Sequence, residues 1–339
     1  MEKLTLLGID IAKNVFQLHG VDDKGNPVLR RKLSRTKLVE FVANVSPCII
    51  AMEACGGANH WCRKFKAMGH VVKLISPQFV KPFVKTNKND RNDAEAIAEA
   101  ASRPTMRFVS PKTVEQEDIQ AVHRVRSRLI QERVALTNQI RGLLAEYGIV
   151  ISQGIHHLRK LLPEILEDAE NELSHSGRQL FVELYEEIAE KDKRIKRYDV
   201  KIEAIFKSNK NCQKISKVEG IGPIIATAIV AVIGDPSVFK NGRHFSAFLG
   251  LVPRQSSSGG KERLLGISKR GNTYLRSLLI HGGRSVVRAV GSKKDRRSQW
   301  IRELTERRGA NRAAVGVANK NARIIWTLLA KNGVYEKAA

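Results

Sequence analysis

The sequence predicts an α/β domain followed by a chain that is mainly α-helical. Over residues 1 to about 104, apolar runs of strand length alternate with helical patterns. From about residue 112 to 208, apolar residues recur at helical spacing and strand signals stop. The stretch from 211 to 339 continues with helical patterns around a loop rich in glycine and serine. At 339 residues and 42% hydrophobic content, the chain is long enough for two or three domains.

The N-terminal region is expected to run as three strands, helix, strand, helix, strand, helix. Its strand-like runs are residues 4–9, 15–21, 47–52 and 70–76, with a further early strand after residue 26. Short polar turns such as 22–26 join the early strands as hairpins. This order predicts a mixed sheet with an antiparallel opening.

Two long amphipathic helices are predicted in the middle of the chain. The first carries one apolar stripe, formed by Val122, Val125, Leu129, Leu136, Ile140 and Leu143. The second has a three-four spacing broken only by Lys191, formed by Phe181, Leu184, Ile188, Ile195, Tyr198, Ile202 and Ile205. Such a seam between charged flanks is typical of a coiled coil. It could pair the two helices within one chain or join two subunits, and the spacing favours neither.

The net charge indicates a polyanionic partner. Lys and Arg number 59 against 34 Asp and Glu, a formal charge of +25, so a compact state repels itself unless a polyanion neutralises it. Nucleic acid is the expected partner, although charge does not distinguish RNA from DNA. A membrane surface is the alternative, but there is no apolar run of about 18 residues and no leader pattern at residues 1–11. We therefore expect a cytoplasmic protein without membrane partners.

The four cysteines predict neither a zinc site nor a disulfide framework, because no CxxC pair occurs. We expect buried thiols. The cluster of Cys55, His60 and Cys62 offers three ligands at an untypical spacing, so we do not expect a metal there.

A helix-hairpin-helix-like segment is predicted at residues 217–233. Gly220 and Gly222 would let the backbone turn tightly and bring amides at a helix N-terminus to a phosphate. The alternative is an ordinary helical turn. The last stretch is basic and helical, which favours a phosphate track over a merely solvated face. Its arginines are Arg296, Arg297, Arg302, Arg307, Arg308, Arg312 and Arg323.

Four carboxylates occupy positions from which they could converge. Asp10 and Glu53 each follow an apolar strand, where an acid sits at the edge of the sheet. Asp90 and Asp93 open a helix and share one of its faces. Each acid could instead be a helix cap or a turn former.

A hard divalent cation would relieve the repulsion among four converging carboxylates. Mg2+ is the expected ion, with Mn2+ as the alternative. Two such ions stabilise the attacking and leaving oxygens when a phosphodiester is exchanged. The pattern therefore favours a metal-dependent enzyme acting on nucleic acid.

A second candidate site is the loop at residues 250–260, followed by a basic turn and a helix. Ser258 stands beside two glycines, which would leave it exposed and free to approach a phosphate. Positive charge nearby would come from Arg254, Lys269, Arg270 and Arg276, which we predict to contact nucleic acid. Taken alone, a serine- and glycine-rich loop is most often a flexible linker.

Taken together, these segments resemble the DEDD transposases of insertion-sequence family one-ten, the bridge-RNA-guided recombinases. The match lies in residues 8–13, 53–56, 89–94, 220–223 and 250–272. The resemblance implies that Asp10, Glu53, Asp90 and Asp93 form a catalytic, metal-binding tetrad. It also implies a nucleophilic serine before a glycine, which is Ser258, with Ser257 as the fallback in this triple serine.

The resemblance further implies three regions. Residues 1–111 would be a RuvC-like domain of RNase H fold, 112–210 a helical, coiled-coil region, and 211–339 a C-terminal transposase domain that carries the serine. Family members are similar in forming dimers or tetramers and in binding a noncoding bridge RNA that pairs with donor and target DNA. In a bacterial cell such a protein is expected to associate with the nucleoid. Delegating sequence recognition to base pairing suits a strongly basic chain.

Two rival functions remain at this point. A RuvC-like, structure-specific nuclease of the junction-resolving type would use water as its nucleophile, and its serine loop would only bind phosphate. A non-catalytic nucleic-acid-binding scaffold would use the acids as caps and turn formers. Substitution of the serine separates the first rival from a recombinase, since a nuclease would keep cutting.

Overall fold

The computed structural model describes residues 4–85, 90–331 and 333–336, apart from the side chains of residues 90 and 91. The chain forms two compact units. Unit 1 comprises Met1–Thr113 and Ile233–Val238, and unit 2 comprises Val114–Val232 and Phe239–Ala339. The division into three functional regions stays a prediction.

Unit 1 is built on a six-stranded mixed sheet, as its alternating apolar runs predict. Its strands are β1 (Leu6–Asp10), β2 (Val15–Val21), β3 (Pro27–Ser34), β4 (Ile49–Glu53), β5 (Val71–Ile75) and β6 (Phe108–Val109). Their order is β3-β2-β1-β4-β5-β6. The pairs β1–β4 and β4–β5 are parallel, and the other pairs are antiparallel. The antiparallel opening is therefore confirmed, and the Asp22 carboxylate holds its first turn by accepting from the amides of Lys24 and Asn26.

Helices cover both faces of this sheet. They are α1 (Arg35–Ala43), α2 (Ala58–Ala67), α3 (Pro77–Val80) and α4 (Asp90–Ser102), with short 3-10 turns at Lys81–Phe83 and Pro236–Val238. Alternate residues of a strand point to opposite faces. Leu7 and Ile9 of β1 accordingly pack with Trp61 of α2 in one core, whereas Leu6 packs with Ile97 of α4 in the other.

Unit 2 and its boundary with unit 1 contain nine helices among the described residues and one β-hairpin. The helices are α5 (Val114–Ala145), α6 (Ile155–Glu167), α7 (His175–Ser208), α8 (Lys210–Ser216), α9 (Pro223–Ile233), α10 (Gly242–Phe248), α11 (Thr273–Arg288), α12 (Arg296–Arg308) and α13 (Ala310–Ala330). The hairpin strands are β7 (Pro253–Gln255) and β8 (Leu264–Ile267). None of the helices in the described ranges is long and apolar enough to cross a membrane.

The two long helices pair with each other inside one chain. Helix α7 buries one residue in every seven along its seam, namely Phe181, Ile188, Ile195 and Ile202. This seam packs against α5. Two ion pairs flank it, Arg126–Asp199 at 2.5 Å and Arg133–Asp192 at 2.7 Å. Of the two arrangements that the spacing left open, the structure has the intramolecular one.

All four cysteines are free thiols. Cys48, Cys62 and Cys212 are buried, as predicted, and burial raises the pKa of the Cys48 thiol to about 11. Cys55 is exposed, so the prediction of a buried thiol is wrong at that position. It lies in the turn between β4 and α2, which leaves its side chain at the sheet edge.

Candidate functional site

Two of the predicted acids end neighbouring parallel strands. Asp10 is the last residue of β1 and Glu53 is the last residue of β4. The register of these strands pairs Ile9 with Met52, so the two acids stand one step beyond that pair at the same edge of the sheet. Neighbouring parallel strands present their carboxyl ends together, which is where ligands reach such sheets.

Both acids point to the face of the sheet that α4 covers. Residues two apart on a strand share a face, so Asp10 lies on the side of Gly8, and Glu53 on the side of Ala51. Gly8 packs directly on α4, because a Cβ atom added to it would lie 2.5 Å from the Ala94 carbonyl oxygen. Ala51 is buried in the core that contains α4. The helix therefore approaches the sheet beside the two strand-end acids.

Asp93 directly precedes Ala94, so it lies within one helical turn of this close approach. Its side chain is half-buried. Helix α4 begins at Asp90, so it starts four residues before the predicted helix at 94–101, and the side chain of Asp90 lies outside the described residues. The structure thus places Asp10, Glu53 and Asp93 on elements that meet at one face of the sheet.

Two carboxylates place negative charge at this edge of the sheet. Partial desolvation by its neighbours raises the pKa of the exposed Cys55 thiol, and the nearby charges of Glu53 and then Asp10 raise it further. Within the described part of the chain, no group of three or more histidine, cysteine, aspartate or glutamate side chains is arranged to hold a metal ion. The oxygen donors of Asp10 and Glu53, with an acid on the covering helix, nevertheless match the ligand preference of Mg2+ and Mn2+.

The serine-rich loop is an ordered β-hairpin and not a flexible linker. Strands β7 and β8 pair antiparallel, and the amide of Lys261 donates to the Ser258 carbonyl oxygen at 3.0 Å. Gly259 and Gly260 lie between Ser258 and Lys261 and have φ values of +55° and +75°. Two central residues with positive φ are typical of a type I′ turn, which matches the twist of antiparallel strands. Ser258 therefore stands immediately before the hairpin tip.

The neighbouring serines differ in their contacts. The Ser257 hydroxyl oxygen accepts from Gln255 Nε2 at 3.0 Å and from the Arg263 amide at 3.3 Å, so it belongs to the hairpin framework. The exposed hydroxyl of Ser258 has no hydrogen-bond partner among the residues that the structure describes. A nucleophile needs an accessible oxygen, so the geometry favours Ser258 over Ser257.

The hairpin is anchored by a tight junction at its base. Lys269 has φ +54°, the one positive value among the described residues other than glycine, and its amide donates to the Gly250 carbonyl oxygen at 3.2 Å. A Cβ atom on Gly250 would lie 2.1 Å from the Arg270 carbonyl oxygen, and one on Gly271 would lie 1.9 Å from that of Phe248. Only glycine fits at these two positions, and a non-glycine residue held at positive φ stores backbone strain.

Arg276 does not fit the predicted contact with nucleic acid. It is buried, and its guanidinium donates to the carbonyl oxygens of Leu249 at 3.4 Å and Arg270 at 3.0 Å, and to Thr273 Oγ1 at 3.1 Å. Its donors are thus used inside the protein, where they hold the turn before α11. Arg254, Lys269 and Arg270 are exposed, and their role in binding nucleic acid stays a prediction.

The helix-hairpin-helix-like segment forms two helices, α8 and α9, joined by a short loop. Gly220 has φ +84°, and a Cβ atom on it would lie 2.7 Å from the Gly282 carbonyl oxygen of α11. This glycine therefore allows two backbones to approach each other closely. In the sequence, only the second glycine, Gly282, could have indicated that contact. Gly222 is exposed at the start of α9 with open space around it, and its phosphate contact stays a prediction.

The C-terminal arginines divide into two groups. Arg297 is buried and donates to Asn321 Oδ1 at 2.6 Å, and Arg302 donates to the Lys293 carbonyl oxygen at 2.6 Å. Both therefore have structural partners, which does not fit their predicted place in a phosphate track. Arg312 and Arg323 are exposed on α13.

One buried polar cluster was not predicted from the sequence. The ring nitrogens of His123 lie 2.9 Å from the Tyr274 hydroxyl and 2.9 Å from Thr227 Oγ1. Burial lowers the pKa of His123 to about 4, and the charge of Arg126 contributes in the same direction. The cluster links α5, α9 and α11. Its only sequence signal is a histidine between apolar positions of α5, which is more often a core residue than a ligand.

Two family models match the chain. A DEDD transposase model of the IS110 type, described as a transposase, matches residues 7–149. A model described as the transposase IS116/IS110/IS902 family matches residues 212–300. The first contains the acids at the sheet edge and the second contains the serine hairpin.

Relatives resemble the chain over nearly its whole length. The transposase for insertion sequence element IS1111A of Coxiella burnetii is 50% identical, covering 100% of this chain and 93% of its own. A probable family 20 transposase of Pseudomonas aeruginosa is 49% identical, covering 98% of each chain. The transposase for IS1328 of Yersinia enterocolitica is 41% identical, covering 99% of this chain and 100% of its own. The chain therefore belongs to the IS110/IS116/IS902 family of insertion-sequence transposases, whose members act on DNA.

Proposed function

We propose that this transposase excises and inserts its element by a covalent route in which Ser258 attacks a DNA phosphodiester. The observation that carries the proposal is the position of Ser258, whose exposed hydroxyl stands beside a type I′ turn on an anchored hairpin. A nucleophile held on a rigid element loses little freedom when its target arrives. The same residue on a flexible linker would lack this advantage.

The proposed step conserves the energy of the DNA bond. The Ser258 oxygen forms a bond to phosphorus as the bond from phosphorus to a deoxyribose oxygen breaks. The serine proton goes to a base, and the departing sugar oxygen takes up a proton. A hydroxyl of the incoming strand then loses its proton and attacks the phosphorus, the bond from phosphorus to the Ser258 oxygen breaks, and that oxygen takes up a proton. Because one phosphoester replaces another in each step, rejoining needs no external energy source.

Asp10, Glu53, Asp90 and Asp93 are proposed to hold Mg2+ or Mn2+ at the edge of the sheet. Such an ion would polarise the phosphate and lower the pKa of an oxygen bound to it. The support is the placement of Asp10 and Glu53 at adjacent strand ends, with Asp93 on the helix that covers the same face. Strand order and acid positions together support an RNase H-like or RuvC-like assignment for this region.

The proposed partners are donor DNA, target DNA and a noncoding bridge RNA, bound by a dimer or tetramer. The charge of +25 supports contact with nucleic-acid backbones. A protein that reads sequence through base pairing needs few base contacts of its own.

The test is a denaturing gel of labelled donor and target DNA incubated with the full chain, Mg2+ and RNA transcribed from the element's noncoding flank. The wild type should give a slow, protease-sensitive DNA band. Ser258→Ala and Asp10→Ala should each lose both this band and strand cleavage. Ser257→Ala is the matched control and should keep the band, since Ser257 is proposed to support the hairpin only.

Cleavage that survives Ser258→Ala would contradict the proposal and indicate a nuclease in which water attacks. Mixing Ser258→Ala with Asp10→Ala protein adds a test of assembly. If one subunit supplies the acids and another the serine, the mixture should recover part of the activity that each variant lacks alone. Differently tagged subunits verify that mixed oligomers form. If such oligomers recover no activity, the acids and the serine are not supplied by different subunits.

A further inference from the structure

A cleft of about 990 Å3 opens in unit 2 beside the base of the serine hairpin. Its walls come from α10, α12, α13 and the hairpin. Pro253 and Ile267, which pair with each other where β7 and β8 begin and end, both line it. We call this space the C-terminal cleft. Its volume lies at the upper end of the range of about 300–1,000 Å3 that is usual for ligand pockets.

Four cations and no acid line the C-terminal cleft, as far as the described residues show. The cations are Arg243, Arg312, Lys320 and Arg323. None of them forms an ion pair or a side-chain hydrogen bond to another described residue. Elsewhere in unit 2 many basic side chains are paired with acids, as Arg126 is with Asp199. Unpaired like charges around one cavity raise the free energy of the protein alone and favour an anionic ligand.

Lys320 shows this uncompensated charge most clearly. Its ammonium nitrogen lies 4.5 Å from the centre of the Trp300 ring, a cation–π contact that holds the side chain at the cleft wall. Burial lowers the pKa of Lys320, and the charges of Arg297, Arg296 and Arg323 lower it further. A phosphate in the cleft would reverse this effect by stabilising the ammonium form.

The rest of the lining is apolar or neutral. Leu251, Ile267, Val315 and Ile324 contribute aliphatic surface. Asn319 is held in place by donating to Ser246 Oγ at 2.8 Å and to the Leu251 carbonyl oxygen at 3.1 Å. A ligand complementary to this lining carries phosphates on one side and flat, apolar surface on the other. A duplex stacks its bases inside and presents mainly phosphate and sugar, whereas an unpaired strand offers both kinds of surface.

We propose that the C-terminal cleft binds an unpaired nucleic-acid strand, with the four cations at its phosphates and the aliphatic wall against its bases or sugars. The cleft would guide that strand along the base of the hairpin that carries Ser258. This inference rests on the proposed function, because the bound strand is expected to be either the DNA strand that is cut or the RNA strand that guides the cut. DNA and RNA share the required chemistry, and the test separates them.

The experiment measures binding of the full-length chain to labelled oligonucleotides of about 12 nucleotides, in the absence of divalent metal. The probes are single-stranded DNA, single-stranded RNA and duplex DNA. The double variant Arg312→Gln, Arg323→Gln removes two cations from the cleft. The control, Lys193→Gln, Lys196→Gln, removes the same charge from exposed positions on α7 that form no ion pair within the described residues.

The cleft variant should bind the unpaired strand about tenfold more weakly or worse, because each lost contact is a charged hydrogen bond. The slope of log affinity against log salt should fall by about 1.4, since each phosphate contact contributes about 0.7 for a single strand. A loss confined to DNA or to RNA identifies the strand that the cleft takes. Equal losses in the cleft and control variants, or a loss confined to duplex DNA, would overturn the proposal.

A second measurement avoids substitutions in the cleft. An amine-reactive reagent, with mass spectrometry of the peptides, reports the accessibility of Lys320 and Lys193 in the wild type. Saturating unpaired strand should protect Lys320 and leave Lys193 reactive. Lys320 that reacts equally with and without the strand would overturn the proposal.

Failure of the cleft and failure of the serine mechanism are distinguishable. Binding is measured without metal and without cleavage, so it does not depend on Ser258. Wild-type protein that never forms a covalent DNA product, but whose cleft variant still loses strand binding, would refute the mechanism and support the cleft. If a covalent product forms while the cleft variant binds the strand normally, the serine mechanism is supported and the cleft proposal is refuted.

Discussion

Gly8 of β1 lies directly against Ala94 of α4, so that a Cβ atom on Gly8 would be 2.5 Å from the Ala94 carbonyl oxygen and 2.8 Å from the Ala98 amide nitrogen. The contact is between two backbones, which cannot yield as a flexible side chain can. It sets the distance between the strand that ends in Asp10 and the helix that carries Asp93. The absence of a side chain at Gly8 thus sets the spacing between the two elements that carry the proposed metal ligands Asp10 and Asp93.

Gly8→Ala should therefore push α4 away from the sheet. We expect a loss of about 1–3 kcal/mol in the free energy of unfolding, as for other overpacked cores. DNA cleavage should fall further than stability does, because Asp93 moves relative to Asp10. Denaturant unfolding and the gel assay measure the two effects.

Gly142→Ala is the control for this substitution. Gly142 lies in α5 with open space around its Cα, so alanine should stabilise the helix by about 0.5–1 kcal/mol. Cleavage should be unchanged. If Gly8→Ala behaves as Gly142→Ala does, the close approach has no structural consequence.

Replacement of Asp10 by asparagine should weaken the response of stability to metal, because it removes one anionic oxygen ligand from the proposed site. With Mg2+, the wild type should gain stability by binding the ion, whereas Asp10→Asn should gain little. Thermal unfolding across a Mg2+ series measures both. An equal gain in the two proteins would exclude Asp10 as a ligand.

The hairpin tip should tolerate asparagine and reject valine. Gly259 has φ +55°, a region that asparagine enters readily and a β-branched residue does not. Gly259→Val should strain the turn by about 1–2 kcal/mol and lower the yield of covalent DNA product. Gly259→Asn should keep most of that yield. Equal yields from both variants would mean that the turn does not position Ser258.

Arg276→Lys tests whether this arginine positions the hairpin or contacts nucleic acid. Lysine keeps the charge but cannot reach the Leu249 and Arg270 carbonyl oxygens and Thr273 together. We expect a stability loss of about 1–3 kcal/mol from unsatisfied buried groups. The salt dependence of nucleic-acid binding should be unchanged, whereas in Lys269→Gln its slope should decrease. If Arg276→Gln instead kept the wild-type stability and reduced the salt dependence of binding, Arg276 would contact nucleic acid directly.

Protonation of His123 should destabilise unit 2 at acid pH. In the folded state the pKa of His123, about 4, lies below the usual histidine value of 6.5, so the folded state favours the neutral ring. The resulting stability, about 3 kcal/mol, is present above pH 6.5 and is lost as the pH falls towards 4. The pH dependence of thermal unfolding should be shallower between these values in His123→Gln. An identical dependence in both proteins would contradict the lowered pKa.

The sequence by itself determined the features that depend on near neighbours along the chain. Alternating apolar runs indicate the strands of the sheet, and the acids that follow them mark the edge where Asp10 and Glu53 lie. Three-four spacing indicates the seam of α7. A charge of +25 indicates a polyanionic partner. These signals are local because periodicity and strand ends are set by residues a few positions apart.

Tertiary structure alone decided which charged and polar side chains are free to act. Arg276 looks like its basic neighbours in sequence, but it is buried against the carbonyl oxygen of Leu249, 27 residues away. Ser257 and Ser258 are identical in type, but among the described residues only Ser257 has side-chain hydrogen bonds. The burial of a charge and the use of a hydroxyl depend on partners that meet only in the fold. A one-dimensional pattern therefore identifies candidates for a site, whereas packing selects among them.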